Sequence, residues 1–143
     1  MTGVTAHDQG FVAAPPARLY EVLAEIRSYG SWWPGVRVDT QGDVFRLDLG
    51  VGGPAEARPE GRRRDVGLVI RLGPPLSGTL EWYLEPFEEG TIVNAIMDLA
   101  VRGGDRRAGR LVRRLRSAVR RGLVGVKGTL EPRRVWQGER VVR

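Results

Sequence analysis

Between Gly104 and Glu131, apolar residues recur at spacings of three and four: Leu111, Leu115, Ala118, Val119, Gly122, Leu123, Val126 and Leu130, with arginines filling the positions between them. That rhythm predicts one long amphipathic helix. At a rise of about 1.5 Å per residue, a helix of roughly 25 residues is nearly 40 Å long, as long as a small domain is wide. It must lie across a whole sheet.

Upstream, the rhythm is different. Pro15 to Ile26, PPARLYEVLAEI, predicts a short helix opened by proline in its first turn, with Leu19, Val22, Leu23 and Ile26 on one face. Tyr29 to Pro34, YGSWWP, holds about one further turn before the proline stops it. From Val36 to Val101 the pattern becomes alternation. Phe45, Leu47 and Leu49 share a face, as do Val66, Leu68, Ile70 and Leu72, then Leu80, Trp82 and Leu84, then Val93, Ala95, Met97 and Leu99. Gln41-Gly42-Asp43, Gly73-Pro74-Pro75 and Glu88-Glu89-Gly90 supply turns. The predicted order is a first strand, two short helices, a meander of strands and the long helix. This is an α+β arrangement in which a curved antiparallel β-sheet grips a helix, and the middle of such a grip encloses an apolar cavity suited to small molecules.

Three segments also carry a resemblance. VAAPPARLYEVLAEIRSYGSWWPGV (Val12 to Val36), GTLEWYLEPFEEGTIV (Gly78 to Val93) and RRGLVGVKGTLE (Arg120 to Glu131) resemble, in that order, the opening, the paired late strands and the end of the last helix of START-like proteins. This is the polyketide cyclase/dehydrase and lipid-transport (SRPBCC) superfamily. The resemblance implies a helix-grip fold: a curved antiparallel sheet with two short N-terminal helices and one long C-terminal helix around a hydrophobic cavity. It does not imply one activity, because the family includes cyclases as well as quinone- and lipid-binding proteins. It places Trp33 near the cavity entrance and Trp82 on its floor. Trp33, Phe45, Trp82, Met97, Leu115 and Val119 are therefore the expected ligand contacts, and no catalytic residue can be carried over. Tyr83 falls on the opposite face by alternation, and Tyr20 is read as packing.

Composition agrees with one such domain, residues 1–131, followed by a C-terminal tail at 132–143. A chain of 143 residues buries roughly 68 to 70% of the surface its unfolded form exposes, enough for one core. Cysteine is absent, which removes disulfides, thiolate metal sites and a cysteine nucleophile together. No leader follows Met1 and no apolar run approaches the ~18 residues of a membrane span, so a cytoplasmic protein is expected.

The net charge of +6 comes almost wholly from arginine, with Lys127 the sole lysine. Arg106, Arg107, Arg110, Arg113, Arg114, Arg116, Arg120 and Arg121 crowd the long helix. They are read first as the solvated side of an amphipathic helix, and in second place as a face for a weak anionic partner; no specific nucleic-acid binding is expected. No aromatic residues interleave with them as single-strand binding would require.

Catalytic chemistry finds little support. Gly50-Val51-Gly52-Gly53-Pro54-Ala55 matches a GxGxxA phosphate loop in form, but Pro54 and Pro59 forbid the helix that should follow, so a strand-end loop or bulge is expected. His7 is the sole histidine, and no serine sits in a nucleophile-elbow context. Glu81, Glu85, Asn94 and Asp98 alternate with inward apolar residues and are expected to face out, while Arg46 and Asp48 could turn inward only on a bulged strand. No cofactor or metal is called for. The expected function is the binding of a hydrophobic small molecule of polyketide, quinone or lipid type. The alternative is a lyase-type polyketide cyclase/dehydratase using the same cavity.

Overall fold

The computed structural model describes residues 2–131, and the tail expected at 132–143 lies outside the described residues. The chain opens with strand β1 (Thr2–Val12), followed by helix α1 (Pro16–Ala24), a 3-10 turn at Ile26–Ser28 and helix α2 (Tyr29–Trp32). Strands β2 (Arg37–Gln41), β3 (Val44–Asp48), β4 (Pro54–Arg63), β5 (Gly67–Leu72), β6 (Ser77–Phe87) and β7 (Gly90–Val101) follow, and helix α3 (Asp105–Leu130) closes the described chain. Proline starts α1 because its fixed φ and missing N–H cost nothing in a first helical turn.

All seven strands form one antiparallel sheet in the order β1-β7-β6-β5-β4-β3-β2. The meander from β2 to β7 pairs each strand with the next, and β1 closes the series against β7. Ala6 lies opposite Met97, Met97 opposite Leu80 and Leu80 opposite Ile70, an unbroken inward row over four strands. All four are at most 1% exposed. On this face α3 lays Leu115, Ala118, Val119, Leu123 and Val126, all buried, and the largest part of its contact with the sheet is with β1. The helix-grip arrangement and the single 26-residue helix expected from the apolar stripe are both present.

Two strands had no counterpart in the apolar alternation. β2 is an edge strand and mostly exposed; β4 buries Ala55 and Ala57 and then runs exposed from Arg58 to Arg63. The Gly50–Gly53 loop passes through left-handed backbone at Gly50, Gly52 and Gly53 and leads directly into β4, so no helix N-terminus follows it.

The outward assignments hold for Glu81 and Asp98, which continue the outer rows of the sheet. Asn94 is a correction: it is on the outer row but only 5% exposed. Its side-chain amide donates to Glu85 Oε1 at 2.9 Å and to the Tyr83 carbonyl at 3.3 Å, while its oxygen lies 3.3 Å from His7 Nε2. Its partners come from the two flanking strands, His7 on β1 and Tyr83 and Glu85 on β6. β3 carries Leu47 inward, and Arg46 lies opposite Asp39 and Glu56 on the outer face, with no bulge to turn it in.

Candidate functional site

The middle of the grip is filled by aromatic rings. α2 is short enough to present Tyr29, Trp32 and Trp33 together, and β6 presents Trp82 to them. Trp32 stacks on Trp33 with centroids 5.7 Å apart, and Trp82 meets Trp33 edge-on at 5.7 Å and Tyr29 at 6.4 Å. Such offset and edge-to-face pairs add stability beyond the area they bury.

Each of the three indole N–H groups of this cluster is used internally: Trp33 Nε1 donates to the Ala118 carbonyl at 2.8 Å, Trp82 Nε1 to Tyr29 Oη at 3.1 Å, and Trp32 Nε1 to Ser28 Oγ at 3.2 Å. Tyr29 Oη in turn donates to the Leu23 carbonyl. Burial drives the Tyr29 phenol well above its ordinary range, although the Trp82 N–H favours the phenolate, so it stays protonated and serves as a bridge in the core.

α3 can approach this cluster because it lacks side chains there. A Cβ on Gly122 would lie 2.7 Å from the Trp33 ring, and one on Gly125 would lie 2.0 Å from the Trp32 carbonyl oxygen. The glycines seat the C-terminal half of α3 on α2.

Of the expected ligand contacts, Trp33, Trp82, Met97, Leu115 and Val119 are all in this filled interior, none more than 1% exposed. Phe45 is half-buried and lines a shallow hollow with Glu21, Ala24, Glu25, Ile26, Arg27 and Arg62. At the rim of that hollow Arg27 hydrogen-bonds Glu25 and, despite some opposing desolvation, holds its carboxyl below the usual range. Tyr20 is buried and Tyr83 exposed, on the faces expected for them.

The open space is elsewhere, under the N-terminal half of α3. A cleft of about 690 Å³ is walled by Pro74, Pro75 and Leu76 from the β5–β6 connection, by Ala100 and Val101 from the end of β7, and by Leu111. Arg102, Arg107, Arg110 and Arg114 complete its lining with Gly52 and Ser77. Sequence reasoning missed it because the Gly50–Gly53 loop, the Pro74-Pro75 turn and α3 meet only through the folded topology. The helical spacing of Arg107, Arg110, Leu111 and Arg114 was the one available signal.

The lining holds no Asp, Glu, His, Tyr or Lys, and Ser77 is its sole hydroxyl. Apolar walls with a few polar groups suit ligand binding, whereas proton transfer needs a positioned acid or base. Among the described residues no three His, Cys, Asp or Glu side chains gather as metal ligands would, and no helix is long and apolar enough to cross a membrane.

No family model matches the chain, and no curated protein matches its sequence. Solved structures do match its fold. A START superfamily protein from Mycobacterium smegmatis superposes with a TM-score of 0.69 at 15% identity, covering 88% of this chain and 98% of that one. The Zhui aromatase/cyclase from Streptomyces sp. R1128 gives a TM-score of 0.60 at 22% identity over 99% and 97%. The di-domain ARO/CYC StfQ from the steffimycin biosynthetic pathway gives 0.71 at 19% identity; it matches 99% of this chain, which spans only 53% of that protein. At such identities the likeness is one of fold, and the fold is the helix-grip of START-like proteins.

Proposed function

We propose that this helix-grip domain binds a small molecule with an apolar body, of polyketide, quinone or lipid type, in the cleft beneath the N-terminal half of α3. The observation that carries the reading is the contrast between that cleft, about 690 Å³ with apolar walls, and an interior otherwise closed by Trp33, Trp82 and Tyr29. Ligand pockets of this size and lining are ordinary for small-molecule sites. A deeper seat, on Trp33, Trp82, Met97, Leu115 and Val119, requires the aromatic cluster to open when ligand arrives.

Native mass spectrometry of the protein as purified, followed by titration with the released compound, tests the reading. Leu111→Trp fills the cleft and is expected to abolish binding without unfolding the domain. Binding that survives Leu111→Trp and shifts tryptophan emission places the ligand in the deeper seat instead. No binding by either protein sinks the proposal.

The aromatase/cyclase names of two structural neighbours raise a cyclase/dehydratase reading, but the cleft offers Ser77 without a base. Turnover of a linear polyketide mimic that is lost in both Leu111→Trp and Ser77→Ala, while Ser77→Ala still binds the mimic, would favour it over carriage.

A further inference from the structure

The arginines of α3 are not equivalent. On the flank facing β1, Arg120 lies 2.6 Å from Asp8 and Lys127 lies 2.6 Å from Glu131. The flank over the cleft has no such partners. Arg102, Arg107, Arg110 and Arg114 line the cleft, and a neighbouring hollow lined by Gly50, Val51 and Ser117 shares Arg110 and Arg114 and adds Arg113 and Arg121. None of these six arginines takes part in any ion pair among the described residues, and no acidic residue lines either hollow. Their only hydrogen bonds there are long ones to carbonyls: Arg114 to Gly50 and Arg121 to Pro34, both 3.4 Å.

Like charges gathered along an apolar-walled cleft repel one another and focus a positive field into it. An anion relieves the repulsion and accepts paired hydrogen bonds from guanidinium forks. The apolar side of the same cleft, Leu76, Val101 and Leu111, suits a hydrocarbon or ring system and not a bare ion.

We infer that the ligand of this cleft is an amphipathic anion, a small molecule whose apolar body rests on Leu76, Val101 and Leu111 while a carboxylate or phosphate is held by Arg107, Arg110 and Arg114. The inference rests on the binding reading above and adds the ligand's charge. The arginine flank is then the polar half of a small-molecule site, as distinct from a general solvated surface.

The test is calorimetric titration of the protein with dodecanoate, dodecyl phosphate, dodecanol, dodecyltrimethylammonium and inorganic phosphate, all below micelle-forming concentrations. The two anionic amphiphiles are expected to bind at least about tenfold tighter than dodecanol, the margin expected of charge-assisted pairing, and the cation not at all. Arg110→Gln/Arg114→Gln is expected to remove that margin while leaving dodecanol affinity and the melting temperature unchanged. Arg116→Gln, an exposed arginine outside both hollows, should leave the margin intact.

Equal affinity for dodecanol and dodecanoate, both lost in Leu111→Trp, overturns the anion inference and leaves the apolar-ligand reading standing. No binding of any amphiphile overturns the anion inference, while the binding reading stands or falls with the mass-spectrometric titration above. Inorganic phosphate binding as tightly as dodecyl phosphate shows a surface ion site, and overturns the inference. Cosedimentation with vesicles of anionic phospholipid, without binding of the monomeric amphiphiles, identifies a membrane-facing surface and overturns it as well.

Discussion

The two halves of α3 follow one apolar rhythm and meet different fates. From Leu115 to Leu130 the helix buries seven residues and presses Gly122 and Gly125 against α2. From Asp105 to Arg114 it buries only Ala108, leaves Leu111 and Val112 half-covered, and stands above the cleft. Spacing decides which side of a helix faces inward. What lies beneath decides whether that side is filled. Four aromatic rings fill the middle of the grip, while prolines and arginines line the cleft beneath the N-terminal half of α3.

Substitutions at the two sites should separate accordingly. Trp82→Ala removes a fully buried ring and the donor to Tyr29, and should cost about 3–5 kcal/mol by urea denaturation. Leu111→Ala, half-buried at the cleft, should cost only about 1 kcal/mol. Equal losses at both sites would break the comparison.

Gly125→Ala comes next. Its new methyl meets backbone that cannot swing aside, and a loss of about 3 kcal/mol is expected, at the upper end of overpacking. Gly122→Ala should lose less, since its methyl meets a side chain, the Trp33 ring, where that of Gly125 meets backbone.

Tyr29→Phe leaves the Trp82 N–H without its acceptor, a loss of about 1–3 kcal/mol. It should also change the alkaline limb of the stability profile. A phenol whose folded pKa is raised contributes stability that is whole below its unfolded value of about 10 and is lost as pH rises beyond that. Wild-type stability should therefore fall above about pH 10, and the phenylalanine variant should fall less steeply there.

The smallest effect has the opposite sign. Nothing lies within 4 Å of a Cβ at Gly109, in the open half. Gly109→Ala should raise stability by up to about 1 kcal/mol, the helix-propensity difference. One substitution type in one helix then gives both signs, and a melting-temperature series on the three alanine variants checks it.

The parts of this fold that were legible in the sequence are those with one buried face. α3, β5, β6 and β7 each bury every second residue or a helical stripe, and their periods are plain. β2 and the outer half of β4 were not legible, since both are largely exposed and Arg58 to Arg63 show polar residues on both faces. The inward direction of Trp82 could be read from alternation, whereas that of Trp33 was implied only by the resemblance. Their mutual contact could not be read, because it depends on two glycines in a helix roughly 90 residues later, which the chain reveals only when α3 is laid on α2. Asn94 shows the same limit on the outer face: its row was legible, its burial under Glu85, Tyr83 and His7 was not. The cleft draws on three separate connections, and no local pattern in any of them points to the other two.

The pairing of β1 with β7 sets a schedule for folding. Thr2 lies opposite Val101 and Val12 opposite Thr91, so the first strand to leave the ribosome has no neighbour until the seventh is made. α3, whose main seat is β1, must wait longer still. Contacts this distant in sequence are slow to form, because the loop between them is closed before any of its pairing is rewarded. In the interval the β2 to β6 meander presents an unpaired edge at β6, the kind of template on which chains aggregate. A nascent chain of this design gains from anything that shields β6 until β7 arrives.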